Sequence, residues 1–133
     1  MIIDKLGLFS DDQAITASAA STDHIDLSVA RNVGIGTPVP LVIQVTEAFN
    51  NLTSLAVAVQ EDDNTSFSSA TTIVTHTILL ADLVVGARIP IHYVPRNSEA
   101  FVRLYYTVTG TAPTTGKVHA KVATEDQTNG ANV

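Results

Sequence analysis

The stretch "FVRLYYTVT", residues 101–109, alternates with a period of two. Val102, Leu104, Tyr106 and Val108 fall on one side, and Arg103, Tyr105 and Thr107 on the other. Successive side chains of a strand point to opposite faces, so the pattern specifies a half-buried β-strand; an amphipathic helix would repeat its apolar positions every three to four residues. The same signal recurs along the chain. Leu41, Ile43 and Val45 alternate with Gln44 and Thr46; Leu55, Val57 and Val59 share a face, as do Ile89, Ile91 and Tyr93; and Val118, Ala120 and Val122 alternate with Lys117, His119 and Lys121.

Eight strands are expected, over residues 13–18, 23–29, 39–47, 55–61, 71–77, 87–94, 101–109 and 117–124. Turn-forming clusters such as "GIGTPVP", "FNNLT" and "GTAPTTG" separate them. Pro90 marks an edge or a bulge, since it cannot donate to a ladder. "LADLVVG" reads as one helical turn or a loop. No heptad and no long amphipathic helix competes. Short antiparallel strands at this spacing predict an all-β, eight-stranded antiparallel sandwich of jelly-roll type. Val57, Val59, Ile89, Ile91, Leu104, Tyr106, Val118 and Val122 are the expected core. Heavy use of Val, Ile and Thr agrees, because β-branched side chains suit a pleated surface.

A length of 133 residues fits one domain. We expect an N-terminal extended arm at 1–12, the sandwich at 13–125 and a polar C-terminal tail at 126–133. The arm carries Ile2, Ile3, Leu6, Leu8 and Phe9 without clean alternation. It either docks on a neighbour or folds onto its own sandwich.

Thirteen acids against seven bases give a net charge of −6, which argues against binding nucleic acid or an anionic membrane. No cysteine is present, so disulfides, thiolate metal sites and thiol nucleophiles are excluded. Asp4 and Lys5 interrupt the apolar start, so it does not read as a signal peptide.

The acidic stretch "EDDNTS", Glu61 to Ser66, invites a metal-loop reading. A calcium loop needs alternate acids, a glycine at the sharp turn and a distal glutamate. Here the acids are adjacent, and adjacent side chains of a strand face opposite ways. Asp and Asn favour turns because their side chains bond nearby amides, so a turn is expected. His24, His76, His92 and His119 form no three-ligand pattern and read as strand or loop residues. No G-x-S-x-G elbow and no phosphate loop occurs. No catalytic residue, cofactor or metal is expected, and no enzyme. "VPRNSEAFVRLYY" gathers Arg96 and Arg103 near Tyr105. This is a solvated strand face or an interface patch, since Arg and Tyr are enriched in hot spots.

Several segments together resemble a known family. "MIIDKLGLFSDDQAITASAASTDHIDLSVARNVGIGTPVPLVIQV", "VQEDDNTSFSSATTIV", "RIPIHYVPRNSEAFVRLYYTVTG" and "GKVHAKVATEDQ" are similar to the capsid cement, or decoration, proteins of tailed bacteriophages of the Bordetella-phage type. The resemblance runs from Met1 to about Gln127 and rests on strand and turn patterns. It implies a jelly roll seated on the outer surface of the virion capsid, made in the host bacterial cytoplasm. It also implies a homo-oligomer, dimer or trimer, whose partner is the major capsid protein, with no direct contact to nucleic acid or membrane. Ile2, Ile3, Leu6, Leu8, Phe9, Arg96, Arg103 and Tyr105 are the candidate contacts for capsid or self-association. The alternative from another class is a carbohydrate- or receptor-binding sandwich of a phage particle. It would favour exposed aromatics, yet there is no Trp and only three Tyr.

Overall fold

The computed structural model describes residues 3–27, 29–30 and 39–123, with backbone alone for 3–7 and 123. Among them are eight strands: β1 (Ile3–Ala14), β2 (Ala19–Ala20), β3 (Ile25–Asp26), β4 (Leu41–Glu47), β5 (Leu52–Asp62), β6 (Thr71–Leu79), β7 (Phe101–Gly110) and β8 (Lys117–Ala123). One 3-10 turn, Leu80–Asp82, follows β6. All pairings are antiparallel.

One sheet has the order β1-β8-β4. In the other, β7 and β6 flank β5, and β2 and β3 both pair with the far side of β7 as two pieces of one broken strand. Counting residues 87–94, which lie beside β4, the chain changes sheet at every connection except the β2–β3 break and the β5–β6 hairpin. That alternation is the jelly-roll arrangement. The expected fold class, an all-β antiparallel sandwich, is the one observed.

The core lies between the sheets. Leu55, Val57 and Val59 of β5 and Val102, Leu104 and Tyr106 of β7 meet Leu41, Ile43 and Val45 of β4 and Val118 and Ala120 of β8. Of the expected core, Val57, Val59, Ile89, Ile91, Leu104, Tyr106 and Val118 are buried, and Val122 packs against the cluster while half-buried. The Tyr106 hydroxyl is satisfied by the Ser10 hydroxyl at 2.8 Å. Burial pushes its pKa well above that of an ordinary tyrosine despite this bond.

Three sequence expectations need correction. Residues 3–12, expected in an arm, enter the sheet as most of β1, paired with β8 from Ile3↔Ala123 to Ala14↔Lys117. Phe9 is fully buried in the core. The register shifts three times along β1, and Asp12 sits at φ 48°. Each bulge flips the face on which the next residue falls, which erases the alternation a straight strand would show. The sandwich thus begins before residue 13. The tail at 126–133 and Ile2 lie outside the described residues.

Residues 87–94 do not form a continuous strand. They lie beside β4 through isolated bridges, Pro40↔Tyr93 and Gln44↔Arg88. The Ile89 amide donates to the Ile43 carbonyl at 2.9 Å, and the Leu41 amide to the His92 carbonyl at 2.8 Å. Between them Pro90 has no N–H, and the Ile91 amide turns back to the Ile89 carbonyl at 2.8 Å. The segment fills the fourth place in the first sheet without a regular ladder.

The strand expected at 23–29 shrinks to Ile25–Asp26. Its approach to β7 is broken where the Asp23 amide donates to the Phe9 carbonyl at 2.9 Å. There the Ser21 hydroxyl substitutes for a ladder acceptor, taking the Leu104 amide at 3.1 Å.

Candidate functional site: an open sheet face

Because Val57, Val59, Leu104 and Tyr106 point inward, the alternate residues of β5 and β7 form the outer face of their sheet. A row crosses three strands there. Arg103 of β7 stands opposite Gln60 of β5, which stands opposite Thr72 of β6. Arg103 Nε donates to Gln60 Oε1 at 2.9 Å, and Gln60 Nε2 donates to Thr72 Oγ1 at 3.3 Å. Ala56, Ala58, Thr75 and Thr77, all short side chains, continue the face.

Arg103 is also held from above. Its guanidinium carbon lies 4.4 Å from the centroid of the Phe67 ring and 5.4 Å from that of Tyr105. His24 meets Phe67 and Phe101 edge-on, with centroids 5.8 and 5.6 Å apart. The cluster thus joins β7, the β5–β6 loop and the link before β3. A cation over an aromatic face gains about 0.5–1 kcal/mol at exposed sites. The larger consequence is order: planar groups are fixed before any partner arrives, which lowers the entropy cost of docking.

The acidic stretch builds this cluster. Glu61 and Asp62 end β5 and are both buried, and they tie down different loops. Glu61 accepts from the Ser98 and Glu99 amides at 2.6 and 3.1 Å and from the Ser98 hydroxyl at 3.1 Å. Asp62 accepts from the Asp63 amide at 2.6 Å and from the Ser69 amide and hydroxyl at 2.9 and 3.1 Å. Burial alone would raise the Asp62 pKa. The Ser69 amide, Asp63 and the Ser69 hydroxyl outweigh it and hold the carboxyl below its usual value. Asn64 accepts the Ser66 amide at 3.0 Å and the Ser66 hydroxyl by a shorter contact. The loop so closed places Phe67 at φ 50°, with its ring over Arg103. "EDDNTS" is a turn, and its work is to aim an aromatic side chain. Among the described residues no group of three His, Cys, Asp or Glu is placed to hold a metal ion.

The candidate contacts from sequence separate into three groups. Arg103 and Tyr105 come together on the open face. Arg96 is exposed in the loop before β7, and among the described residues no ring contact joins it to the cluster. Leu8 and Phe9 are buried, so they are not free contacts; Ile3 and Leu6 lie on β1, where the backbone alone is described. Phe67, His24 and Gln60 were missed. Phe67 and His24 are far from Arg103 in the chain, and only the topology brings them there.

A family model described as Bbp16 matches residues 9–122. The chain belongs to the Bbp16 family. The name points to a Bordetella phage protein family. No curated protein matches the chain. The match spans every described strand from the end of β1 to β8, and it contains all of the open-face cluster.

Proposed function

We propose that this Bbp16-family protein is a structural virion protein that cements a phage head. It sits on the outer surface of the capsid and bridges neighbouring copies of the major capsid protein. The observation that carries the reading is the open face: a Thr- and Ala-rich sheet surface with a pre-ordered Arg103–Phe67–Tyr105 cluster. Such a face suits a broad protein surface, whereas an enzyme would need convergent reactive groups in a pocket. The family match and the sequence resemblance support the phage setting.

The work of such a protein is thermodynamic. A ligand that binds the assembled shell and not its dissociated subunits stabilises the shell by mass action. Many copies, each weakly held, sum by multivalency when one body contacts two subunits. Particles with and without the protein are heated, and DNA release is followed by dye fluorescence. Release is expected at lower temperature without the protein, with restoration on adding it back. Arg103→Ala is expected to reduce shell occupancy while the fold persists. Coincident release curves, at verified full and zero occupancy, would reject the cement role.

A further inference from the structure

A sandwich has four sheet edges, and an exposed edge is a template for pairing with another chain unless it is blunted. Three edges here are blunted. β1 is bulged three times and carries Asp4, Lys5, Asp11 and Asp12. The segment 87–94 contains Pro90 and makes only isolated bridges. The β2–β3 edge consists of two two-residue pieces. The fourth edge, β6, is different. It is nine residues long, contains no proline and no Asp, Glu, Lys or Arg, and among the described residues pairs with β5 alone. Its one irregularity is a bulge around Ile73.

Exposed apolar side chains gather at the same place. Leu79 at 60%, Val84 at 52% and Val85 at 67% exposure follow one another at the end of β6 and in the turn beyond. Beside them a cleft of about 350 Å³ separates β6 from residues 87–90 and is lined by Ile78, Leu83 and Ile89 among others.

The sequence of the strand says what fits this edge. Residues 73–79 read "IVTHTIL", which is nearly the same in both directions about His76. Antiparallel pairing of two copies about a two-fold axis at His76 sets Thr75 against Thr77, Val74 against Ile78 and Ile73 against Leu79. Opposed residues then lie on the same face of the joint sheet, as a two-fold normal to the sheet requires. Thr–Thr and aliphatic cross-strand pairs are favourable, and like charges directly opposite are not. Each copy carries a net charge of −6, so copies repel, and contact is cheapest where no acid lies. Among the described strand edges long enough to pair, β6 is the one without a charged residue.

We propose that two copies of this chain join edge to edge along β6, antiparallel about a two-fold axis at His76, fusing their β5–β6–β7 sheets into one. The contact is isologous, so it closes at the dimer and does not propagate. The fused sheet doubles the open face and presents two Arg103 clusters related by the two-fold. This deepens the proposed function by locating its self-association, yet it is tested on purified protein without any shell, so either reading can fail alone.

The test is sedimentation equilibrium across a concentration series. Wild-type protein is expected to reach twice the chain mass. Thr75→Lys/Thr77→Lys sets lysine against lysine across the axis, and its mass should fall by half with an unchanged far-UV circular dichroism spectrum. Thr75→Glu/Thr77→Glu should likewise be monomeric, while an equimolar mixture of the two variants should recover the dimer. Hydrogen exchange on wild-type protein provides a second measurement: amides at 74–78 should lose protection on dilution. A monomeric wild type, a trimer, a dimer that survives the lysine pair, or an equimolar mixture that stays monomeric would each overturn the proposal.

Discussion

Two three-strand rows, one on the outer face of each sheet, contrast sharply. In the first sheet Leu8, Lys121 and Val42 stand opposite one another across β1, β8 and β4, and all are buried, at 9%, 7% and 3% exposure. In the second, Arg103, Gln60 and Thr72 cross β7, β5 and β6, and all remain partly or fully accessible. The registers differ too. β5 and β7 stay in step from Ser54↔Thr109 to Asp62↔Phe101, while β1 slips against β8 three times. The two sheets share one core but have different outer roles. The irregular sheet is covered at its row even on the outside. On the regular sheet, among the described residues, the Phe67 loop and His24 reach over the outer face at Arg103 and Phe101. On the proposed reading, the docking surface lies on the second sheet.

The largest effects should come where the sheets share the core, and there the contrast should vanish. Phe9→Ala, from the irregular sheet, is expected to cost about 3–5 kcal/mol, and Leu104→Ala, from the regular one, about 2–5 kcal/mol. Both are fully buried. Denaturant titration reads both. A near-zero cost for Phe9→Ala alone would mean that β1 is the dispensable arm suggested by its lack of alternation. Deleting residues 1–9 should for the same reason unfold the sandwich rather than merely loosen a contact.

This is where sequence reading succeeded and failed. Central strands announced themselves, because Val57 and Val59 or Leu104 and Tyr106 sit on unbulged stretches where period two survives. β1 hid because its bulges reset the face repeatedly, bringing Leu8 and Phe9 both to burial. Residues 87–94 looked like a strand because Ile89 and Ile91 do alternate inward, but across Pro90 the Ile91 amide turns back to the Ile89 carbonyl instead of extending the ladder. Of the site, Arg103 and Tyr105 were legible as strand neighbours. Phe67 was not, since nothing local signals that a loop ring will land on a distant guanidinium. The adjacent carboxylates carried half the message: their opposed directions predict that Glu61 and Asp62 serve different loops, but not which.

A middle-sized effect separates the open face from the framework beneath it. Asp62→Asn should release the loop that holds Phe67, seen as faster hydrogen exchange over 63–69 and a lower urea midpoint at neutral pH. The sign with pH follows from the lowered pKa. Above the ordinary carboxyl value of 3.8 both states are ionised and the contribution is present in full; below it the unfolded chain takes up a proton that the native state still excludes. The contribution is lost as pH falls through the folded value. The gap between wild type and Asp62→Asn should therefore narrow below about pH 4. An equal gap at pH 7 and pH 3 would mean that the charge on Asp62 does not close the loop.

The smallest effect should have the opposite sign, and it probes the covered row. Lys121 is flanked by Leu8 and Val42, and desolvation first and Arg88 second depress its pKa below the usual lysine value. Its charged form is thus disfavoured in the folded state, and an apolar side chain of similar length should suit the row better. Lys121→Met is expected to raise the denaturation midpoint slightly at neutral pH. In wild type the penalty is complete below the depressed pKa. It is relieved as pH rises through that value toward 10.5, where the unfolded chain still binds the proton that the native state has released. The advantage of Lys121→Met should accordingly shrink between pH 7 and pH 10 in paired melting curves. The matching change on the open face, Arg103→Met, should instead lower stability, because that guanidinium is paired with Gln60 and stacked on Phe67. If both substitutions shift the midpoint in the same direction, the two rows are not the covered and open surfaces described here, and the second sheet loses its claim to be the docking face.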